Sequence, residues 1–110
     1  MSREVIVAAE WFDGECRHGA GPTTFVVEHG RLASLAAGDQ AADLASSSVP
    51  VTRVPFLMPG LVDAHVHLFL EGHVTDNALR SAHLKKPVEE LTQTARASAR
   101  RSLACGITLV

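Results

Sequence analysis

Cysteine is scarce in this chain, and its scarcity narrows the field first. Cys16 and Cys105 are the only two among 110 residues. Two such distant thiols are no disulfide framework, and they suit a reducing cytoplasm, the expected location. An excess of positive charge is also missing. Ten Lys and Arg face twelve Asp and Glu, for a net charge of -2. Neither nucleic acid nor an anionic membrane is therefore expected as a partner. Long apolar runs are lacking too. The most apolar stretch, Val54 to Leu70, is broken by Pro55, Pro59, Gly60, Asp63, His65 and His67, which does not suit a bilayer-crossing helix. The first residues meet Glu10 before the apolar core of a leader peptide is reached. No internal repeat or low-complexity segment is visible.

What remains is the composition of an ordinary folded protein, 46% hydrophobic and 20% charged. The length suits one small domain or a piece of a larger one.

The front of the chain reads as β structure. Residues 4–8 are rich in β-branched side chains and predict a strand. A Gly-rich stretch from Gly14 to Pro22 predicts a loop, and residues 23–28 a second strand. His29-Gly30 sits between two apolar runs. Gly takes φ > 0 freely and His is enriched there, so a tight hairpin turn is expected, with a return strand from Arg31 to Ala36. Gly38 to Ser48 is small and polar, a surface connection. Val49 to Leu57 is extended again, with Pro50 and Pro55 favouring an edge or a bent strand.

The pattern changes at Pro59-Gly60. Leu61 to Leu68 is a nearly continuous apolar run, of the kind that suits a strand covered on both faces of a parallel sheet. Asp76 is placed to cap a short helix over Asn77 to Leu84. Pro87 fits the first turn of a longer one, with Glu89 and Glu90 near its positive end and Arg96, Arg100 and Arg101 nearer its negative end. Val88, Leu91, Ala95, Ala99 and Leu103 form a stripe at helical spacing. Gly106 is placed to stop that helix, and Ile107 to Val110 begins another strand. The order strand, loop, helix, strand predicts a βα unit.

Within the apolar strand, side chains two apart share a face and stand roughly 6.5–7 Å apart along it. Asp63, His65 and His67 would therefore point the same way. Two neutral imidazoles so placed can converge on one cation, at about 2.0–2.1 Å from zinc. An isolated His-x-His pair is common by chance and then has no ligand. Two rings and a carboxylate on one inward face without a metal, however, would carry a large desolvation cost. That weighs the pair toward a metal site.

The run from Phe56 to Phe69, with its Pro-Gly-x-x-Asp-x-His-x-His pattern, resembles the first barrel strand of the amidohydrolase superfamily. The resemblance is closest to imidazolonepropionase-like and prolidase-like members. Glu28-His29-Gly30-Arg31-Leu32 is similar to that family's hairpin, and Ala104 to Val110 to its lead-in to the second strand. The resemblance implies an α/β fold. Residues 1–57 would be the N-terminal portion of a small β-sandwich, and residues 58–110 the start of a (β/α)8 metal-dependent hydrolase barrel, a TIM barrel. It implies His65 and His67 as metal ligands, with zinc first and iron or manganese as alternatives. It implies a metal-activated water attacking an amide or lactam C–N bond, of a non-peptide or dipeptide-type small-molecule substrate. Asp63 would orient a ligand from behind or brace the strand rather than bind the metal itself. Glu71 and His73, past the strand's end, are candidates for a substrate loop, with a solvated loop as the equal alternative.

A (β/α)8 barrel needs about 250 residues, so the expectation is an N-terminal fragment, inactive alone. The general base and remaining ligands would lie beyond residue 110. Its partner would be the missing C-terminal portion or further copies in a homo-oligomer. Two rival readings stand beside it: a non-catalytic module with a binding or assembly role, and a small metal-binding domain using His65, His67 and His73. Of the other chemistry-bearing residues, Cys105 reads as a small buried residue, His83 as exposed on its helix, and His18 and His29 as loop and turn residues.

Overall fold

Alternation of β-branched and small residues makes the first half of the chain a sheet. The computed structural model describes residues 2–46, 48–70, 72 and 74–110. Its strands in this half are β1 (Arg3–Phe12), β2 (Arg17–His18), β3 (Thr23–Glu28), β4 (Arg31–Ala37) and β5 (Val51–Leu57), with a single-turn helix α1 (Ala41–Leu44) between the last two. They belong to a compact unit, Met1–Pro59; the second unit is Gly60–Val110.

In the first unit β1 is central. It pairs antiparallel with β3 on one side, with Ile6 opposite Phe25, and parallel with β5 on the other, with Ile6 opposite Thr52. The turn at His29-Gly30 takes φ of 52° and 73°. Two consecutive positive φ values are what a tight hairpin needs to match the twist of its strands. The β3–β4 ladder that follows carries a bulge at Val26 and Val27. Among the described residues β5 pairs only with β1, so Pro55 lies on an edge strand, where its missing N–H leaves no ladder bond unmade.

Alternation along β1 sends Val5 and Val7 to one face, where α1 covers them. Ala41 completes that buried cluster, and Leu44, Val49 and Val51 pack around it. Thr24 ties the same region together. It is 1% exposed; its hydroxyl donates to the Gly38 carbonyl at 2.7 Å and accepts from the Gln40 N–H at 2.9 Å. Asp39 then accepts from the Ala41 N–H and meets Arg53 of β5 at 3.1 Å. These contacts turn the chain from β4 into α1, an element that the polar composition of 38–48 did not suggest.

The second unit holds β6 (Leu61–Val62), α2 (Asn77–Leu84), α3 (Val88–Ala104) and β7 (Ile107–Leu109). Asp76 caps α2, accepting from the N–H groups of Ala78 and Leu79 at 2.7 and 3.1 Å. Such a cap satisfies donors that the first helical turn leaves without partners. Along α3, Leu91, Ala95 and Ala99 are half-buried, whereas Val88 and Leu103 at the ends of the same stripe are exposed. No described helix is long and apolar enough to cross a membrane.

The fold class expected from the sequence requires correction. The described structure is mostly an antiparallel β sheet with few helices, not an α/β barrel start preceded by a sandwich. The five strands of the first unit form one sheet, with no second sheet among that unit's described residues to make a sandwich. In the second unit β6 and β7 run parallel, but their ladder has two rungs with a register shift between them. Leu61, Val62 and Leu109 are 48%, 64% and 61% exposed. A barrel strand is covered on both faces; these are not. The apolar run to Leu68 does not continue as a strand because β6 ends at Val62 and the chain bends from Ala64 onward.

Candidate functional site

Asp63, His65 and His67 lie just past β6. Asp63 keeps one ladder bond, its N–H donating to the Leu109 carbonyl at 2.9 Å. Its carboxylate turns back on its own backbone and accepts from the His65 N–H at 3.2 Å. Such a local turn is a habit of Asp side chains. It bends the chain away from the ladder, so strand periodicity does not aim the two histidines. The bend does.

The bend nevertheless brings the rings together. The Nε2 atoms of His65 and His67 are 3.2 Å apart, and the ring centroids 5.1 Å apart. Both residues are exposed. Phe69 stands edge-on to His67, with centroids 6.0 Å apart. The Nε2 of His83, on α2, donates to the Phe69 carbonyl at 2.6 Å. His83 thus holds the end of the histidine segment against the helix, a role that its expected exposure alone did not reveal. Glu71 and His73 lie outside the described residues.

The 3.2 Å spacing suits two chemistries. Two ligands about 2.0–2.1 Å from a tetrahedral zinc ion stand roughly 3.3–3.4 Å apart. An imidazole N–H···N hydrogen bond spans a similar distance. The two exclude each other, because a metal needs both Nε2 atoms unprotonated. The pair thus fits one edge of a metal's coordination shell. Among the described residues, no group of three or more His, Cys, Asp or Glu side chains gathers to complete it.

A second constellation occupies the β1–β2 hairpin. Trp11 pairs with His18 across the ladder and Phe12 with Arg17. The rings of Trp11 and His18 stack at 4.0 Å and 14°. His18 Nε2 meets Asp13 Oδ2 at 2.7 Å, while Asp13 Oδ1 accepts from the N–H groups of Glu15 and Cys16. The Cys16 N–H, then His18, then the Glu15 N–H hold the Asp13 carboxyl well below the usual carboxylate range. Arg17 pairs with Glu10 in the same hairpin. Composition marked this stretch as loop. The signal that finds the hairpin is the symmetry of Trp11 and His18 about the Asp13–Cys16 turn.

The sheet face away from α1 carries an apolar hollow of about 520 Å³. Ile6, Trp11, Phe25, Leu32, Leu35 and Leu57 line it. Trp11 is held over it by donating from Nε1 to the Thr23 hydroxyl at 3.1 Å.

The chain matches no family model, no curated protein and no solved structure.

Proposed function

We propose that His65 and His67 bind a divalent metal, zinc first, and that the chain belongs to a metal-dependent hydrolase acting on an amide or lactam C–N bond. The observation that carries the metal half is the convergence of the two Nε2 atoms to 3.2 Å. The hydrolytic half rests on the motif from Pro59 to His67. Each imidazole would give its Nε2 lone pair, and the Asp63 bend would hold the two rings in place. A metal so held supplies an acidified water and polarises a carbonyl. Two protein ligands leave a cation mostly hydrated, so the 110-residue chain alone is read as inactive, its remaining ligands coming from other groups. The reducing cytoplasm remains the proposed location.

The test is zinc retention after equilibrium dialysis, read by elemental analysis. The native chain should retain zinc, and His65→Gln and His67→Gln should not. Equal retention by all three, or none by the native chain, sinks the metal reading. Turnover of a panel of amides and lactams by the native chain, lost with a chelator and in His65→Gln, would overturn the reading that it is inactive alone.

A non-catalytic binding role is the second reading. The open apolar hollow beneath Trp11 favours it. Retained zinc would count against it as the sole role.

A further inference from the structure

We propose that the His65–His67 pairs of two copies of this chain close around one metal ion and join the copies as a twofold dimer. This rests on the metal reading above and adds the partner at that site.

Zinc in closed sites takes four protein ligands in tetrahedral array. The described residues of one copy offer two, with no third side chain of ligand type gathered beside them. The two Nε2 atoms already stand near the separation of one tetrahedral edge. A twofold axis through the metal carries that edge onto the opposite one. The four vertices are then His65 and His67 of each copy. This is an isologous contact, the commonest way two identical chains associate.

Access permits it. Both imidazoles are exposed rather than sunk in a cleft, so a second chain can reach the metal. Val66, between the two ligands, and Phe69, edge-on to His67, are exposed apolar side chains. A second copy seated over the histidines would cover them, removing apolar surface from water. Asp63 and His83 hold the segment from both ends, through the His65 N–H and the Phe69 carbonyl. The ligand pair therefore needs little rearrangement on binding. Four imidazoles leave no open position for water or substrate, so the dimer is a non-hydrolytic form of the site.

The experiment titrates the metal-stripped native chain with zinc, following mass by sedimentation velocity and bound metal by elemental analysis. The expected result is a shift from the mass of one chain to that of two, complete near half an equivalent of zinc and reversed by a chelator. Cobalt(II) in place of zinc should give the intense visible absorption of a tetrahedral site. His65→Gln and His67→Gln should remain single chains at every zinc level, with the far-ultraviolet circular dichroism of the native chain. If either variant misfolds, diethylpyrocarbonate modification of the native chain should abolish the shift, and prior zinc should protect both rings. Binding of one zinc per chain without a change in mass overturns the dimer and leaves the metal reading standing. Absence of any zinc binding overturns both. A zinc-driven dimer that persists when both histidines are replaced overturns the placement.

Discussion

A Cβ atom added to Gly60 would collide with the Thr108 hydroxyl and lie 2.7 Å from the Thr108 Cβ. The clash arises because β6 and β7 run side by side here, with the Leu61 N–H donating to the Gly106 carbonyl at 2.8 Å. Gly60→Ala should therefore force the two-rung ladder apart. Overpacking of this kind costs about 1–3 kcal/mol. Because the ladder is so short, the loss should appear as faster amide exchange at Leu61 and Asp63. Thr108→Gly in the Gly60→Ala background should restore protection. Failure of that rescue would mean that the close approach is not the cause.

Thr24 makes the second prediction. Its hydroxyl is buried and satisfies two backbone groups, the Gly38 carbonyl and the Gln40 N–H. Thr24→Val keeps the shape and leaves both groups without that partner. The cost should be about 1–3 kcal/mol in urea unfolding. Thr24→Ser retains the hydroxyl and should lose markedly less. Equal losses in the two variants would assign the effect to the missing methyl group.

The hairpin at Asp13 gives a prediction in acid. The N–H groups of Cys16 and Glu15, together with His18, hold the Asp13 carboxyl below its ordinary value. For a group depressed on folding, the stability it contributes is fully present above the unfolded value, about 3.9. It declines as pH falls below that value and is gone once pH passes through the folded one. Trp11 is the only tryptophan and stacks on His18, so its fluorescence reports the hairpin. The native signal should hold at pH 5 and change as pH drops below about 4. Asp13→Asn should remove most of that acid transition. An unchanged transition in the variant would assign it to another carboxylate.

The features legible in the sequence are those decided within a few residues. His29-Gly30 turns the chain because two adjacent residues adopt positive φ. Asp76 caps α2 because a carboxylate at that offset reaches the N–H groups of the next two positions but one. Pro55 lies on an edge because it carries no N–H to donate. The proximity of His65 and His67 also follows from two positions of spacing, although the bend rather than a strand produces it.

Tertiary pairing decided the rest. Nothing local says that β1 extends to Phe12; it does so because β2 and β5 both pair with its far end. The parallel match of β1 with β5 joins segments more than forty residues apart, beyond the range of any periodicity. An apolar run from Leu61 to Leu68 is compatible with a long buried strand. It becomes one only where neighbouring strands take up its N–H and C=O groups. Here β7 offers a partner to only the first few residues, and the Asp63 carboxylate takes the His65 N–H. The histidine motif was therefore plain from the sequence by itself, whereas its setting, an exposed bend in place of a barrel strand, was decided by which hydrogen-bond partners the folded chain supplies.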